Sequence, residues 1–356
     1  MNHDLFALWS SNEMRFDDIA DGYAKSKYLF TRDPRDANKI YKVLLKTMKF
    51  PDMRLYTPSP SVLEGLPRGS FFLQFTFKLI TPYISKDDEG LYIHDNPVKK
   101  EKVFKAPMIS GSTWKGNLRW TAGRVWAGET PSAGRVAMRV RITKLFGHEN
   151  DAEKRWFDSQ MSEKEKDDFN AEVKYWTTKD GLRRGRLNFF PTFFASIGLD
   201  VINPHDRRTK AGTMPIYIES VPAGSSGVFS LLYVPFDLIG REESERKGNM
   251  IEDLGLLHRA TEEMVLTYGF SAKRGNGFGV VDEKVEGIFE VSGYPIYKEQ
   301  SGATRVKVDD SNPFAKLKDF KVDGSKEKIK DNVFEDFGQL KGLIEKIRQE
   351  VMKDGE

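Results

Sequence analysis

The chain contains no cysteine, and this absence excludes several kinds of site. Disulfide bonds, zinc sites with thiolate ligands and a cysteine nucleophile are all ruled out. A chain without disulfides also suits the reducing cytoplasm, so we expect a cytoplasmic protein.

Long apolar runs are also missing, since no segment approaches the roughly 20 apolar residues that a membrane helix needs. The N-terminus carries acidic residues early and lacks the basic-then-apolar order of a signal peptide. We therefore expect no membrane partner. The 356 residues, 39% hydrophobic and 31% charged, are typical of a soluble globular protein of one or two domains.

The chain has little excess charge of either sign, with a net charge of only +3. A freestanding nucleic-acid binder is often more basic. The charges are unevenly placed, however: basic residues cluster in 115–144, 183–186 and 207–210, and acidic residues in 149–172 and after 308. Such segregation can give a nearly neutral protein a basic face. The alternative is that these side chains are ordinary solvated positions.

The pattern of apolar residues predicts an α+β fold with helices on one face of a sheet. The segment SFFLQFTFKLI at 70–80 is rich in aromatic residues and is predicted to be a strand. Further predicted elements are a helix from Ser112–Thr113, helices in 151–178, strands in 186–203 and 214–237, and a helix at 251–270. A ferredoxin-like βαββαβ core, shared by RNA-recognition modules, is one arrangement with this order.

Three regions are predicted along the chain. Residues 1–65 form an N-terminal extension, and 66–292 form an RRM-like core with an inserted hairpin and helical region at 145–214. Residues 293–356 form a polar tail ending in an amphipathic helix. Its apolar stripe comprises Val333, Phe337, Leu340, Ile344, Ile347 and Val351. This stripe is expected to pack either against the chain's own core or against another subunit.

The segment KAPMISGSTWKGNLRW at 105–120 carries a candidate phosphate site. Lys115 and Arg119 are four residues apart and share one face of the predicted helix. Gly111 and Gly116 would let a ligand approach the backbone, and N–H groups at a helix start attract phosphate. The spacing is not that of a P-loop, so nucleotide hydrolysis is not predicted. A capped helix with exposed basic residues is the alternative.

The segment AKRGNGFGVV at 272–281 has three glycines in five residues before a predicted strand. Lys273 and Arg274 place positive charge beside this loop, which can wrap a nucleic-acid backbone. It is not a dinucleotide fingerprint, because no strand precedes it in a βαβ unit. Phe278 either stacks on a base or packs in the core.

These segments resemble the RAMP (repeat-associated mysterious protein) superfamily. PMISGSTWKGNLR is similar to the family's Gly-Ser-small-hydrophobic-Lys-Gly signature, and KRGNGFG to its glycine-rich loop. Between them, LFGHEN followed by GRLNFFPTFF, and the approach to the turn ESVPAG, resemble the family pattern in the same order. The resemblance covers about 70–292.

The resemblance implies a subunit of a type III CRISPR effector complex, a ribonucleoprotein in which related subunits stack along a guide RNA. Its implied partners are guide RNA, target RNA and the other subunits. The positions implied to contact guide RNA are Ser112, Lys115, Arg119, Lys273, Arg274, Gly275, Asn276, Gly277, Phe278 and Gly279. The regions 186–214 and 81–107 are implied to reach the guide–target duplex.

The resemblance also implies a candidate catalytic residue, Asp95, in IHDNPVKK at 93–100. In backbone subunits of type III complexes, an aspartate at this place accompanies cleavage of target RNA. A carboxylate acts there as a base or holds a divalent metal such as Mg²⁺, and the residues do not decide between these. The alternative is that Asp95 orders the turn before Pro97.

Two other functions stay open, and no metal site is assigned. The NPH of Asn203–His205 resembles the capping subunit of the same complexes, which is usually not a nuclease. A guide-processing endonuclease of the superfamily would use His94 or His205 as its base. The acidic run Asp87–Glu89 is either a metal ligand set or a solvated loop.

Overall fold

The computed structural model describes residues 49–87, 96–129, 133–174, 183–203, 208, 212, 215–296 and 331–353. The predicted α+β class is confirmed, since helices pack on antiparallel sheets. Within these ranges, no helix combines the length and the apolar character that a membrane crossing requires.

The main sheet has five strands in the order β3-β7-β1-β8-β9. Its strands are β1 (Phe71–Lys78), β3 (Leu187–Phe189), β7 (Ser226–Tyr233), β8 (Glu286–Val291) and β9 (Val333–Phe334). All neighbouring strands are antiparallel. β1 lies at the centre, as its run of aromatic residues predicts, because such side chains suit a strand that is covered on both faces.

Two helices follow strands of this sheet and pack on each other: α1 (Gly111–Ala127) and α5 (Glu243–Glu262). Along the chain the order is β1, α1, β3, β7, α5, β8. The ferredoxin-like assignment itself stays a prediction. A π-helical turn, Glu263–Tyr268, extends α5 toward the glycine-rich loop.

The remaining elements lie between α1 and α5 or at the end of the chain. They are β2 (Met108–Ile109), α2 (Ala133–Phe146), α3 (Asp151–Ser159), α4 (Glu163–Lys174), β4 (Thr192–Phe193), β5 (Gly198–Ile202), β6 (Ile216–Ser220) and α6 (Phe337–Lys353). The strands predicted on either side of Pro222–Gly224 exist. They are not partners, however, because β6 pairs with β5 whereas β7 joins the main sheet.

Aromatic side chains fill the space between the sheet and the helices. From β1, the ring of Phe77 lies 6.1 Å from Trp114 of α1, and the ring of Phe75 lies 5.5 Å from Phe337 of α6. Trp114 also meets Phe229 of β7 edge-on at 5.0 Å. Such pairs contribute roughly 0.5–1.5 kcal/mol each beyond burial. They therefore fix α1 on the sheet.

The opposite face of β1 is covered at its centre. Gln74 donates from Nε2 to the carbonyl of Pro58 at 2.8 Å and to Oγ of Ser230 at 2.9 Å. The 3₁₀ turn Pro60–Leu63 packs against β1 beside this contact. This part of the sheet is therefore closed to the base stacking that RNA-recognition modules perform on their open sheet face.

The last helix, α6, packs against the chain's own core, on α5 and β8. Nε2 of His258 in α5 donates to the carbonyl of Phe337 at 3.0 Å. The predicted stripe needs two corrections: Val333 is exposed in β9, and Leu343 is buried where the stripe has Ile344. The N–H of Gln339 donates to Oδ1 of Asp336 at the start of α6. Val333 lies before this turn, in β9, and therefore does not follow the helical spacing of the stripe.

The basic face predicted from 115–144 is wrong for three of its arginines. Arg119, Arg135 and Arg139 are only 8%, 6% and 1% exposed. Each forms an ion pair with an acidic residue from 149–172: Glu153, Glu165 and Glu149, at 2.8, 2.8 and 2.5 Å. The segregated charges neutralise each other inside the molecule, because α3 and α4 fold back over α1 and α2.

A buried carboxylate ties the sheet to two helices. Asp253 of α5 is 0% exposed and accepts from Arg141 at 2.8 Å, from Arg186 at 2.6 Å and from the hydroxyl of Tyr233 at 2.7 Å. Burial and the charge of Asp253 raise the pKa of Tyr233 well above its usual value. Burial acts to lower the pKa of Arg186, but the charges of Asp253 and Asp237 outweigh it and raise that pKa.

We expect Asp253→Ala to lower the free energy of unfolding by about 3–5 kcal/mol, because it leaves buried cations unpaired. Urea denaturation measures the change. Glu252→Ala is the matched control: Glu252 pairs with Arg141 but its side chain is 64% exposed, so we expect a loss below about 1 kcal/mol. Equal losses for the two variants would contradict this account.

Candidate functional site

The helix α1 begins at Gly111, one residue before the predicted start at Ser112–Thr113. Ser110 is its N-cap, and Oγ of Ser110 accepts from the N–H of Thr113 at 3.2 Å. The hydroxyls of Ser112 and Thr113 lie 2.8 and 2.9 Å from that oxygen, and Ser112 is exposed. The first N–H groups of a helix have no partner within it and carry partial positive charge. This end of α1 therefore suits an anion.

Lys115 and Arg119 lie on one face of α1 but have different surroundings. Lys115 is half-buried, and its pKa is lowered by burial and by the charge of Arg119, against the opposing charge of Glu153. Arg119 donates to Glu153 and, from Nη2, to the carbonyls of Phe146 at 2.6 Å and His148 at 3.1 Å. These bonds hold the end of α2 on α1. The burial of Arg119 argues against its predicted contact with RNA.

The tip of the glycine-rich loop projects from the molecule. Arg274–Asn276 form a 3₁₀ turn, in which the N–H of Gly277 donates to the carbonyl of Arg274 at 2.8 Å. Lys273 has a φ of 60° and Gly277 a φ of 79°. A left-handed backbone is uncommon for lysine and marks a constrained turn. Lys273, Gly275, Asn276 and Gly277 are all exposed.

The base of the loop is tightly packed. A Cβ on Gly279, whose φ is 76°, would lie 2.7 Å from the nitrogen of Ser271. The N–H of Gly279 donates to the carbonyl of Pro82 at 2.9 Å, and Phe278 beside it is half-buried. By contrast, a Cβ on Gly275 would meet no atom within 4 Å. Gly279 is thus required for packing, whereas Gly275 leaves room for a ligand.

Asn117 joins the two predicted segments. Its Nδ2 donates to the carbonyl of Phe270 at 3.1 Å, and its Oδ1 accepts from Nη1 of Arg274 at 3.0 Å. A third bond, from Nδ2 to the carbonyl of Thr113 at 2.9 Å, holds the amide against α1. The helix and the glycine-rich loop therefore form one continuous surface.

Trp120 and Tyr268 belong to this surface and were missed by sequence reasoning. The guanidinium of Arg274 lies 4.0 Å from the centre of the Trp120 ring, and that of Arg124 lies 4.9 Å from it. Tyr268 meets the same ring edge-on at 5.1 Å. One signal was available: the apolar residues Trp114, Leu118, Ala122 and Val125 recur at helical spacing, and Trp120 falls outside this stripe.

The predicted catalytic residue, Asp95, lies outside the described residues, as do His94 and His205. The chain that follows Asp95 is well anchored. The N–H of Val98 donates to Oε2 of Glu219 at 3.1 Å, and the N–H of Glu219 donates to the carbonyl of Asn96 at 3.0 Å. The side chain of Lys100 also donates to the buried carboxylate of Glu219. Glu219, the glutamate of ESVPAG, thus holds this end of the loop.

The other end of the same loop is fixed by Asp87. Its N–H donates to the carbonyl of Pro97 and its Oδ2 accepts from the N–H of Lys100, both at 3.1 Å. Asp87 therefore holds the backbone at this end of the loop, and the other members of the acidic run, Asp88 and Glu89, lie outside the described residues. In the part of the chain that the structure covers, no group of three or more His, Asp or Glu residues is arranged to hold a metal ion.

We expect Gly111→Ala and Gly116→Ala to have opposite effects on stability. A Cβ on Gly111 would lie 2.5 Å from the carbonyl oxygen of Phe189, so alanine there should cost about 1–3 kcal/mol. A Cβ on Gly116 would meet nothing within 4 Å, so alanine should add about 0.5–1 kcal/mol through helix propensity. Thermal unfolding of both variants tests this, and a stable Gly111→Ala protein would contradict it.

Comparison with known proteins adds a family match. A model of the RAMP superfamily matches residues 76–282, which include the start of α1 and the glycine-rich loop. No curated protein matches the chain. A chain in the cryo-EM structure of the type III-B Cmr-beta bound to cognate target RNA is similar, with 14% sequence identity and a TM-score of 0.42. The similarity covers 79% of this chain and 87% of that one.

Proposed function

Because the chain belongs to the RAMP superfamily, we propose that it is an RNA-binding subunit of a type III CRISPR ribonucleoprotein. In this role it grips the backbone of the guide RNA. The observation that carries the proposal is the joining of α1 to the glycine-rich loop through Asn117, with Arg274 held at 3.0 Å. Two segments that are distant in sequence thereby present cations and backbone N–H groups on one surface.

The chemistry of this surface favours the RNA backbone over the bases. Lys115 and Lys273 offer point charges, and the start of α1 offers N–H groups, all of which suit phosphate. The sheet face is covered beside Gln74, so bases cannot stack on that part of the sheet. Binding should therefore depend little on RNA sequence.

The small net charge of +3 supports an assembled rather than a freestanding binder. Arg119, Arg135 and Arg139 are neutralised internally and contribute little to long-range attraction of RNA. When only a few cations contact the RNA backbone, the overall affinity rises if neighbouring subunits bind the same RNA strand. Other subunits of the complex are accordingly part of the proposal.

We expect Lys115→Gln and Lys273→Gln each to weaken binding of single-stranded RNA and to lower its salt dependence. Each lost phosphate contact should reduce the slope of log affinity against log salt by about 0.7. Fluorescence anisotropy at several salt concentrations measures both quantities. The loss should be similar for RNAs of different sequence.

Lys341→Gln on α6 is the control, since it removes the same charge from an exposed position far from the surface in sequence. It should leave affinity and slope unchanged. If all three variants lost affinity equally, general charge rather than this surface would bind the RNA. Wild-type protein that bound no RNA at low salt would overturn the proposal.

We further propose that the loop carrying Asp95 takes part in cleavage of guide-bound target RNA. Such cleavage joins a 2′-hydroxyl to the adjacent phosphorus while the 5′-oxygen of the next nucleotide leaves. A carboxylate assists as a base for the hydroxyl proton or by holding a divalent metal. Alignment of the RNA contributes the rest. The contacts of Glu219 with Asn96, Val98 and Lys100 support this, because they hold the chain that directly follows Asp95.

In a reconstituted complex, Asp95→Ala should abolish one cut in the target RNA while target binding persists. Assays with and without magnesium decide between the base and the metal. Asp168→Ala, which removes an exposed carboxylate of α4, is the control and should cut normally. An unchanged pattern for Asp95→Ala would leave the protein as a structural or capping subunit without nuclease activity.

A further inference from the structure

We infer that Arg124 and Arg274, both seated on Trp120, form a binding site for a single phosphate group of the RNA strand. This inference rests on the proposed function and adds Arg124 and its support Trp120, which the family resemblance did not supply, to Arg274. Arg124 follows Trp120 by one turn of α1, whereas Arg274 comes from the glycine-rich loop. Their guanidinium groups lie 4.9 and 4.0 Å from the centre of the same ring.

The charges of these two arginines are not neutralised in the described part of the chain. Arg119, Arg135, Arg139, Arg141 and Arg186 all pair with carboxylates there. Arg124 and Arg274 have aromatic rings and the Asn117 amide as their partners instead. Both guanidinium groups lie within 5 Å of the centre of one ring, and burial together with the charge of Arg124 lowers the pKa of Arg274. An anion placed between them would relieve the repulsion between the two cations.

The site is held in position before any ligand arrives. Asn117 fixes Arg274 at 3.0 Å, and Tyr268 supports the edge of Trp120 at 5.1 Å. Tyr268 ends the π-helical turn that follows α5, and such turns are frequent at functional sites. Arg124 also lies 5.2 Å from the ring of Trp156. Little conformational freedom remains to be lost on binding, which favours affinity.

The chemistry of the site points to phosphate rather than to a base. The Trp120 ring already carries guanidinium groups, so it serves as a support and not as an open platform for stacking. A guanidinium presents paired N–H donors that match the oxygens of a phosphate. Gly275 follows Arg274 directly and has open space where a Cβ would lie, so a strand can continue past the site.

The experiment measures binding of a labelled oligouridylate to the full chain carrying Arg124→Gln, Arg274→Gln or both. We expect each single variant to lose about tenfold in affinity, since bonds to charged groups are the stronger ones. The double variant should lower the salt slope by about 0.7, the value for one phosphate, whereas two separate phosphates would give about 1.4. Arg348→Gln on α6, with an exposed arginine, is the matched control and should bind as wild type does.

Two further binding measurements identify the ligand. An oligonucleotide with an uncharged methylphosphonate backbone should bind the wild type and the double variant equally, because the arginines then have no charge to contact. Inorganic phosphate at matched ionic strength should not displace the RNA, since a free ion lacks the contacts of the strand. A double variant still weaker on the uncharged backbone, or displacement by free phosphate, would overturn the inference.

The outcomes separate this inference from the proposed function. Wild-type protein that binds RNA, with a double variant that binds equally well, would overturn the paired site and leave the proposed function intact. Wild-type protein that binds no RNA would overturn both. Trp120→Leu keeps the position apolar but removes the ring, and it should reproduce the loss seen for the arginine variants. Unchanged binding of this variant would overturn the role of Trp120 as their support.

Discussion

The architecture depends on one buried carboxylate, Asp253, which three donors from different elements share. Arg141 brings α2 to it, Tyr233 brings the end of β7, and Arg186 brings the chain just before β3. A carboxylate buried without partners would be strongly unfavourable, so the folded state is stable only when all of these elements are in place. The position of α5 over the sheet, and with it the base of the glycine-rich loop, follows from this requirement.

The same principle governs the arginines of α1 and α2. Arg119, Arg135 and Arg139 turn inward because the end of α2, the turn before α3 and the residue after α3 supply carbonyl and carboxylate acceptors: Phe146, Glu149 and Gln160. Arg124 of α1 differs from these three, because it is exposed and lies against the aromatic rings of Trp120 and Trp156 in place of an acid. The nearly neutral balance itself comes from the composition, 56 Lys and Arg against 53 Asp and Glu, whereas internal pairing decides which of these cations remain without a carboxylate.

Sequence reasoning succeeded where the information is local. The strand β1, the start of α1 to within one residue and the glycine-rich loop were all predicted, since an aromatic run, helical spacing of apolar residues and clustered glycines act within a few residues. It failed for Arg119 and Arg139, whose burial depends on carboxylates supplied by other turns and helices. Asn117 and Trp120 were missed for the same reason: their roles arise from contact with residues about 150 positions later in the chain.

The central place of β1 has a consequence for how the protein is made. β1 is followed by more than 140 residues before its first partner, β7, begins, and its second partner, β8, comes later still. Folding that depends on such distant pairings is slow. During synthesis the aromatic strand FFLQFTFK remains without its native neighbours until most of the chain has left the ribosome, and such a strand is prone to pair with other chains. Yield in a cell should therefore depend on chaperones or on slow translation.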